Sequence, residues 1–337
     1  MKIRALIAAG LILFSSCDNT NRLEVNINSK HVALDVIHFD ALLFNSDTAE
    51  RASQIASFTN QEQQLFSVLV EDIMRISAVN DPFMIQKFDG FLQETHWRKL
   101  QDDIDSVFYP FDDFESRLAE AFTYYKYHFP ADTIPAIFTY NSGFNYGVYP
   151  DKKFIGVGLE WYVGSNNKIV KQLPYDAFPN YIKAHMEPKF MLVDVIKGWL
   201  LIKHFKDELL QASFLENMMF YGKVMYYVDA CFPFEENDVK MGYAPNEINW
   251  VENNEENIWA TVVKEKMLFE NDIKVQKQWF VDAPFTAGLP QESPGKVGIW
   301  LGWQMVKQYM DENENVSLQQ LQTVKAETIL KNYKPNK

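Results

Sequence analysis

Two residues that could do chemistry, an acid and a base, stand one helical turn apart in a mostly apolar segment. Asp194 and Lys197 lie in Pro188–Phe205 (PKFMLVDVIKGWLLIKHF), with Gly198 beside them. Residues at positions i, i+3 and i+4 share one side of a helix. The remaining positions are apolar in nearly every direction, and a helix that is apolar all round is buried all round. The segment therefore predicts a central buried helix with a small polar patch, a common setting for enzyme chemistry.

The other residues with chemical potential do not form the common catalytic motifs. No two of the six histidines have the i, i+4 spacing of a helical zinc site. His185 and Glu187 precede the central helix and are better explained as a loop histidine beside a carboxylate than as metal ligands. The sequence has no GxSxG, no P-loop and no dinucleotide fingerprint. We therefore expect no cofactor and no metal site.

The elements that must position the polar patch indicate an α+β fold that is predominantly helical. Residues 47–128 and the second half of the chain have helical spacing of apolar residues, whereas the middle has strand-like runs. We predict a small β-sheet of three or four strands between two helical halves. The runs with strand character are Leu23–Asn28, Ala136–Asn141, Tyr146–Tyr149 and Lys153–Val163.

Two later segments carry distinctive local patterns. GYAPN (242–246) precedes a predicted helix over Asn246–Phe269, with Asn246 as its N-cap and with Glu247 and Trp250 on it. Ser293-Pro294 opens the last long helix, and in its first turns, PGKVGIWLGW (294–303), Gly298 and Gly302 are one turn apart. Small residues at this spacing predict close packing against another helix. Alternatively, the same pattern forms one wall of a peptide-binding site.

Composition and the first residues indicate where the protein works. A formal charge of −13 lacks the basic footprint that nucleic-acid binding needs. Lys2, Arg4 and the apolar run 5–14 have the form of an export signal. Ser15 and Ser16 then lead into Cys17, which resembles a bacterial lipobox, where the signal is cut before an acylated cysteine. We predict a signal peptide over 1–16 and membrane attachment through lipid, such as palmitate, on Cys17. Cys231 would then be a buried and inert thiol.

Taken together, several segments resemble the gliding-motility lipoprotein GldB family. The resemblance covers almost the whole mature chain and rests on their order behind the lipobox. His38 departs from it, because a basic residue, often Arg, is expected before Phe-Asp. The segments are Ile37-His38-Phe39-Asp40, IGVGLEWYVG (155–164), PYDAFPNYI (174–182), GYAPNEINW (242–250) and PGKVGIWLGWQMVKQY (294–309).

The resemblance implies a protein of the Bacteroidota cell envelope that serves gliding and the associated type IX secretion machinery through protein partners. We expect the protein to face the periplasm and to be anchored in the outer membrane rather than the inner membrane. It also implies a tether over 17–22 and a single GldB-like domain over 23–335. The family is similar to predicted zinc peptidases, whose central helix carries HExxH. The corresponding stretch here, residues 193–197 (VDVIK), keeps no metal ligand.

The leading interpretation is therefore a degenerate zinc-peptidase-like scaffold without catalysis, whose cleft binds a peptide or partner. One alternative is an envelope hydrolase with an unrecognised site that uses His185, Glu187 or Asp194. Another is a solute- or glycan-binding lipoprotein, suggested by Trp161, Tyr162, Trp250, Trp259 and Trp303. The residues expected at the peptide or partner cleft are Asp194, Lys197, Tyr221, Glu247, Trp250, Trp300 and Trp303.

Overall fold

Helices on both sides of a four-stranded sheet make up the structure, a computed structural model that describes residues 21–27, 31–205 and 213–336. The predicted signal peptide and Cys17 lie outside these residues. The predominantly helical α+β class is confirmed. The first half contains β1 (Val36–His38), α1 (Phe39–Phe44), α2 (Thr48–Ser57), α3 (Asn60–Ser67), a π-helical stretch (Val68–Ile73), α4 (Met84–Gln93), α5 (Thr95–Phe108) and α6 (Asp112–His128).

The sheet takes one strand from the first half and three from the middle of the chain. The middle contributes β2 (Ala136–Tyr140), β3 (Val148–Pro150) and β4 (Phe154–Gly158), followed by a 3-10 turn (Leu159–Tyr162). The strand order is β1-β2-β4-β3. The first three of these are mutually parallel, and β3 runs antiparallel to β4 at the edge.

Two of the strand predictions are wrong in part. The described part of Leu23–Asn28 forms a turn and no strand, and the predicted strand Lys153–Val163 ends at Gly158. Instead of pairing with a strand, this segment is attached through the preceding Arg22, whose guanidinium donates hydrogen bonds to the carbonyl oxygens of Met310 and Val316. The place at the sheet edge beside β2 is filled by β1 instead.

Alternation along β2 divides the interior into two cores. Ile137 points into the larger core, whereas Phe138 and Tyr140 point into a smaller core formed with α1–α4. The rings of Phe138 and Tyr140 lie over β4, where a Cβ at Gly156 would be 2.7 Å from the Phe138 ring. A glycine is needed at this position because any side chain would displace the rings.

The second half builds the larger core around two long helices that follow the sheet. Its elements are α7 (Lys168–Gln172), α8 (Asn180–Ala184), α9 (Pro188–His204), α10 (Phe214–Cys231), α11 (Asn237–Met241), α12 (Pro245–Asn253), α13 (Glu255–Lys264), a 3-10 turn (Met267–Phe269), α14 (Ile273–Phe280), α15 (Val297–Glu312), α16 (Leu318–Thr323) and α17 (Ala326–Leu330).

The predicted central helix is confirmed as α9. Eight of its apolar side chains are buried, and it packs against α10, α6 and the edge strand β3. Pro188 occupies the first turn, where its missing N–H costs no hydrogen bond. Gly198 faces β3, so that a Cβ there would be 3.2 Å from Val148. The sequence pattern therefore identified the element around which the larger core is built.

Close packing at the glycines of α15 is also confirmed. A Cβ at Gly302 would lie 2.0 Å from the carbonyl oxygen of Met218, and one at Gly222 would lie 2.3 Å from the carbonyl oxygen of Gly302. The two backbones therefore touch where α10 crosses α15. This crossing holds both helices in place against the cavity described below.

Several helix boundaries differ from the prediction. The last long helix begins at Val297 and not at Ser293-Pro294, because Lys296 adopts a left-handed conformation with φ of 59°. The predicted helix Asn246–Phe269 divides into α12, α13 and a 3-10 turn. Its N-cap is Ala244 and not Asn246, since Pro245 takes the first helical position. The side chain of Glu247 accepts a hydrogen bond from the Ala244 N–H at 2.7 Å.

Candidate functional site

Asp194 and Lys197 face the same cavity from the polar side of α9. The cavity has a volume of about 360 Å³. Oδ1 of Asp194 lies 3.8 Å from Nζ of Lys197, which is an ion pair but too long for a hydrogen bond. Both side chains keep about a fifth of their surface exposed, 20% for Asp194 and 23% for Lys197. The predicted polar patch therefore exists and borders a cavity rather than the closed core.

His185, in the turn after α8, makes the tightest contact with Asp194. Its Nε2 donates to Oδ2 of Asp194 at 2.7 Å, and the hydroxyl of Tyr162 donates to the same oxygen at 3.3 Å. The imidazole is stacked on Phe190 with ring centroids 4.5 Å apart. On its other side lies Gly242, where a Cβ would be 2.2 Å from Cε1 of the ring. The histidine is therefore clamped in one orientation with its partner fixed.

A second ion pair, Lys296–Asp282, lies at the same cavity. Nζ of Lys296 is 2.7 Å from Oδ1 of Asp282, and it also donates to the carbonyl oxygen of Met241 at 3.1 Å. Lys296 immediately precedes α15, and its left-handed conformation turns the chain into that helix. Lys296 lies in the segment that the sequence singled out for its glycines, but no sequence pattern marked Lys296 or Asp282 as a site residue.

The charges around Asp194 set its protonation state. Burial alone raises the pKa of this carboxyl, but His185, Lys197 and Lys296 together outweigh burial and hold the pKa at about 2. Asp194 is therefore ionised over the whole physiological range. Burial lowers the pKa of Lys197, and the Lys296 charge adds to that effect while Asp194 opposes it.

The remainder of the cavity wall is mostly apolar and aromatic. Tyr221 contributes from α10 and stacks on Phe280 with centroids 5.5 Å apart, and burial raises the pKa of its hydroxyl. Ligand pockets in proteins commonly have this construction, with apolar walls and a few fixed polar groups. The other apolar and aromatic lining residues are Trp161, Ile182, Met186, Leu201, Val224, Met225, Met241 and Ile299.

The structure brings together three of the seven residues expected at the cleft, namely Asp194, Lys197 and Tyr221. Glu247 lines a neighbouring cavity of about 230 Å³, which shares His185, Asp282 and Lys296 with the first. The three tryptophans are elsewhere. Trp300 and Trp303 are 2% and 0% exposed, and Trp250 is half-buried against the larger core.

The exposure of the aromatic residues that suggested glycan binding shows whether they could form a sugar-binding face. Trp303 is fully buried, and its indole Nε1 donates to Oδ2 of Asp229 at 2.6 Å. Tyr162 is 4% exposed, and Trp161 lies in the cavity wall. Together with Trp250 and Trp259, both half-buried against the larger core, these rings form no common exposed face of the kind on which a sugar stacks.

The same residues also bear on whether a metal ion could bind at the cavity. Within residues 21–27, 31–205 and 213–336, no three His, Cys, Asp or Glu side chains are grouped so that they could hold a metal ion. At the cavity, Asp194 is hydrogen-bonded to His185, and the ammonium of Lys197 lies 3.8 Å from the same carboxylate. Burial raises the pKa of the Cys231 thiol, which makes it a poor thiolate ligand.

Comparison with known proteins gives one family. The family model described as gliding motility protein GldB matches residues 20–335 of this chain. Comparison with curated proteins and with solved structures gives no match. Among the helices in the described part of the chain, none combines the length and the apolarity that crossing a membrane requires.

Proposed function

This chain belongs to the family of the gliding motility protein GldB, and from that premise we propose that it serves gliding as a lipid-anchored, non-catalytic binding protein of the cell envelope. Its partners are proteins of the gliding and type IX secretion machinery. The cavity beside Asp194, Lys197 and Tyr221 binds a peptide segment of such a partner, and the neighbouring cavity extends the cleft towards Glu247. Trp250, Trp300 and Trp303 support the cleft from the core.

The observation that carries this proposal is a mostly apolar cavity in which both carboxylates have a fixed partner. Asp194 pairs with His185 at 2.7 Å, and Lys296 pairs with Asp282 at 2.7 Å. Lys197 puts an ammonium where a catalytic metal would need a neutral or anionic ligand. These contacts stabilise a shaped, partly apolar cavity, which suits binding.

The hydrolase alternative meets an obstacle at the same cavity. A histidine oriented by a carboxylate, as His185 is by Asp194, is half of a nucleophile-activating system. Such a system needs the hydroxyl of a serine or threonine, or a cysteine thiol, within reach of the imidazole. The residues that line the two cavities include no serine, threonine or cysteine. The His185–Asp194 pair is therefore better explained as a contact that fixes the cavity wall.

Lipid attachment at Cys17 agrees with the way the described chain begins. The Arg22 guanidinium donates to the carbonyl oxygens of Met310 at 2.8 Å and Val316 at 2.7 Å, around the C-terminal end of α15. Five residues of extended chain reach at most about 18 Å, so a lipid on Cys17 keeps this end of α15 close to the membrane. The cavity borders the opposite end, because Lys296 and Ile299 line it. A helix of 16 residues is about 24 Å long, so the cavity lies about that far along α15 from the anchored end.

Complementation of a deletion strain tests the cavity's role in gliding. Leu201 lines the cavity and can be replaced by tryptophan to fill it, whereas Val263→Trp adds the same ring on the 50% exposed surface of α13. We expect the strain with Leu201→Trp to lose colony spreading and secretion of type IX cargo at normal protein level, and the strain with Val263→Trp to keep both. Normal spreading with the filled cavity would contradict the proposed role.

The anchor has a separate test in the same strain. Cys17→Ser removes the acylation site, and we expect the protein to move from the membrane fraction to the soluble fraction. Labelling with radioactive palmitate would then be lost as well. Unchanged membrane association and labelling would contradict lipid attachment at Cys17.

A further inference from the structure

Within the cavity, one charged group differs from the others in having no close partner. Asp194 accepts hydrogen bonds from His185 at 2.7 Å and from Tyr162 at 3.3 Å. Lys296 is satisfied by Asp282 at 2.7 Å and by a carbonyl oxygen at 3.1 Å. The Lys197 ammonium, by contrast, makes no hydrogen bond to any residue that the structure describes, and its ion pair with Asp194 is 3.8 Å long.

We propose that Lys197 binds the C-terminal carboxylate of a peptide whose last side chain is apolar and fills the cavity. This inference rests on the proposed peptide cleft and adds which end of the peptide enters. An ammonium without a hydrogen-bonded partner in a mostly apolar cavity gains most from a single carboxylate, because charge-assisted hydrogen bonds are the strong ones. An N-terminal ammonium would need a free carboxylate, and both carboxylates at the cavity are already paired.

The walls and the volume fit one or two residues of such a peptide. Leu201, Val224, Met225 and Ile299 contribute aliphatic and thioether surface, and Phe280 contributes a ring. A volume of about 360 Å³ lies at the small end of the range of about 300–1,000 Å³ for ligand pockets. The cavity is therefore large enough for an apolar side chain with its terminal carboxylate, but not for a longer folded segment.

The position of β3 at the edge of the sheet favours a peptide over a fatty acid as the ligand. Among the described strands β3 pairs with β4 alone, and Gly147, immediately before β3, lines the cavity. An edge strand presents unpaired backbone groups to which an extended peptide can add. A fatty acid has no backbone for this purpose and would use the ammonium and the apolar walls alone.

Calorimetric titration of the mature chain with short peptides tests the proposal. The probes are acetyl-Gly-Gly-X peptides, where X is Val, Leu, Met, Phe, Asp or Lys, each with a free C-terminal carboxylate or as the C-terminal amide. We expect the apolar members with a free carboxylate to bind at least tenfold more tightly than their amides. Lys197→Met should lower the affinity for peptides with a free carboxylate about tenfold, so that these peptides and their amides bind with equal affinity.

Lys264→Met is the matched control, because it removes the same charge from a side chain that is 83% exposed and lines neither cavity. Its affinities should equal those of the unchanged protein, and circular dichroism would show that both variants are folded. Equal affinity for acids and amides would overturn the carboxylate inference while leaving the peptide cleft in place. Octanoate binding as tightly as the best peptide would also overturn it. Binding by no probe would overturn the peptide cleft itself.

Discussion

The crossing of α10 and α15 gives the most demanding test of how the larger core is built. Gly302→Ala adds a single methyl group, whose carbon would lie 2.0 Å from the carbonyl oxygen of Met218. Ordinary van der Waals contact begins near 3.4 Å, so the two backbones must separate by about 1.4 Å, the difference of these distances. Neither side can relax by rotating a side chain, since the contact is with a backbone atom.

The expected cost follows from two opposing effects. Overpacking a core costs typically about 1–3 kcal/mol and occasionally more, and a backbone clash belongs at the upper end. Replacing glycine by alanine in a helix contributes about 1 kcal/mol of stability. We therefore expect Gly302→Ala to lower the free energy of unfolding by about 2 kcal/mol or more. The same separation would shift the cavity walls on α10 and weaken peptide binding.

Chemical denaturation followed by circular dichroism and tryptophan fluorescence measures this effect, with coincidence of the two signals as the check on two-state unfolding. Gly90→Ala is the control, because this helical glycine of α4 has no atom within 4 Å of a built Cβ. It should leave stability unchanged or raise it by up to about 1 kcal/mol. A Gly302→Ala variant as stable as the Gly90→Ala variant would refute the close crossing.

Three further predictions concern groups outside the cavity wall, each measured as the free energy of unfolding. Burial raises the pKa of Glu160 from 4.5 to about 7, so the folded state holds this proton more tightly than the unfolded state and stability falls as pH rises through that interval. Glu160→Gln should remove roughly 3 kcal/mol of this decline. An identical decline in the variant would argue against a buried neutral acid. Asp89→Ala leaves the fully buried Arg51 without its carboxylate and should lower the free energy of unfolding by about 3 kcal/mol. The control Glu265→Ala, at an exposed ion pair, should leave it unchanged. Equal effects of the two substitutions would count against the buried pair. Arg22→Ala removes hydrogen bonds to carbonyls around the end of α15 and should cost about 2 kcal/mol, whereas unchanged stability would mean that this attachment is loose.

The central helix could be predicted from the sequence because its pattern is local and extreme. Pro188–Phe205 is apolar in nearly every direction, and the exceptions at Asp194 and Lys197 mark the side that borders the cavity. The glycines of α15 were similarly informative, since a one-turn spacing of small residues has few uses other than close packing. Such signals lie within one element and need no knowledge of its neighbours.

Other features depended on contacts between distant segments and gave no local signal. β1 has three residues inside a longer apolar run, and its strand character comes from pairing with β2. Asp282 joins the site only because Lys296 reaches it from the start of α15. The tryptophans of α15 were expected at a cleft, yet Trp300 and Trp303 fill the core, because an aromatic residue on a buried helix has the same pattern in either role.

The central claim, that this gliding motility protein holds a peptide in the Asp194–Lys197 cavity without cleaving it, is tested most directly by native mass spectrometry. The mature chain would be incubated overnight with an acetylated peptide ending in leucine and then analysed intact. We expect a one-to-one complex, lost in Lys197→Met, from which the peptide is released at its original mass. Shortened peptide masses, or no complex under conditions in which the protein is folded, would contradict the claim.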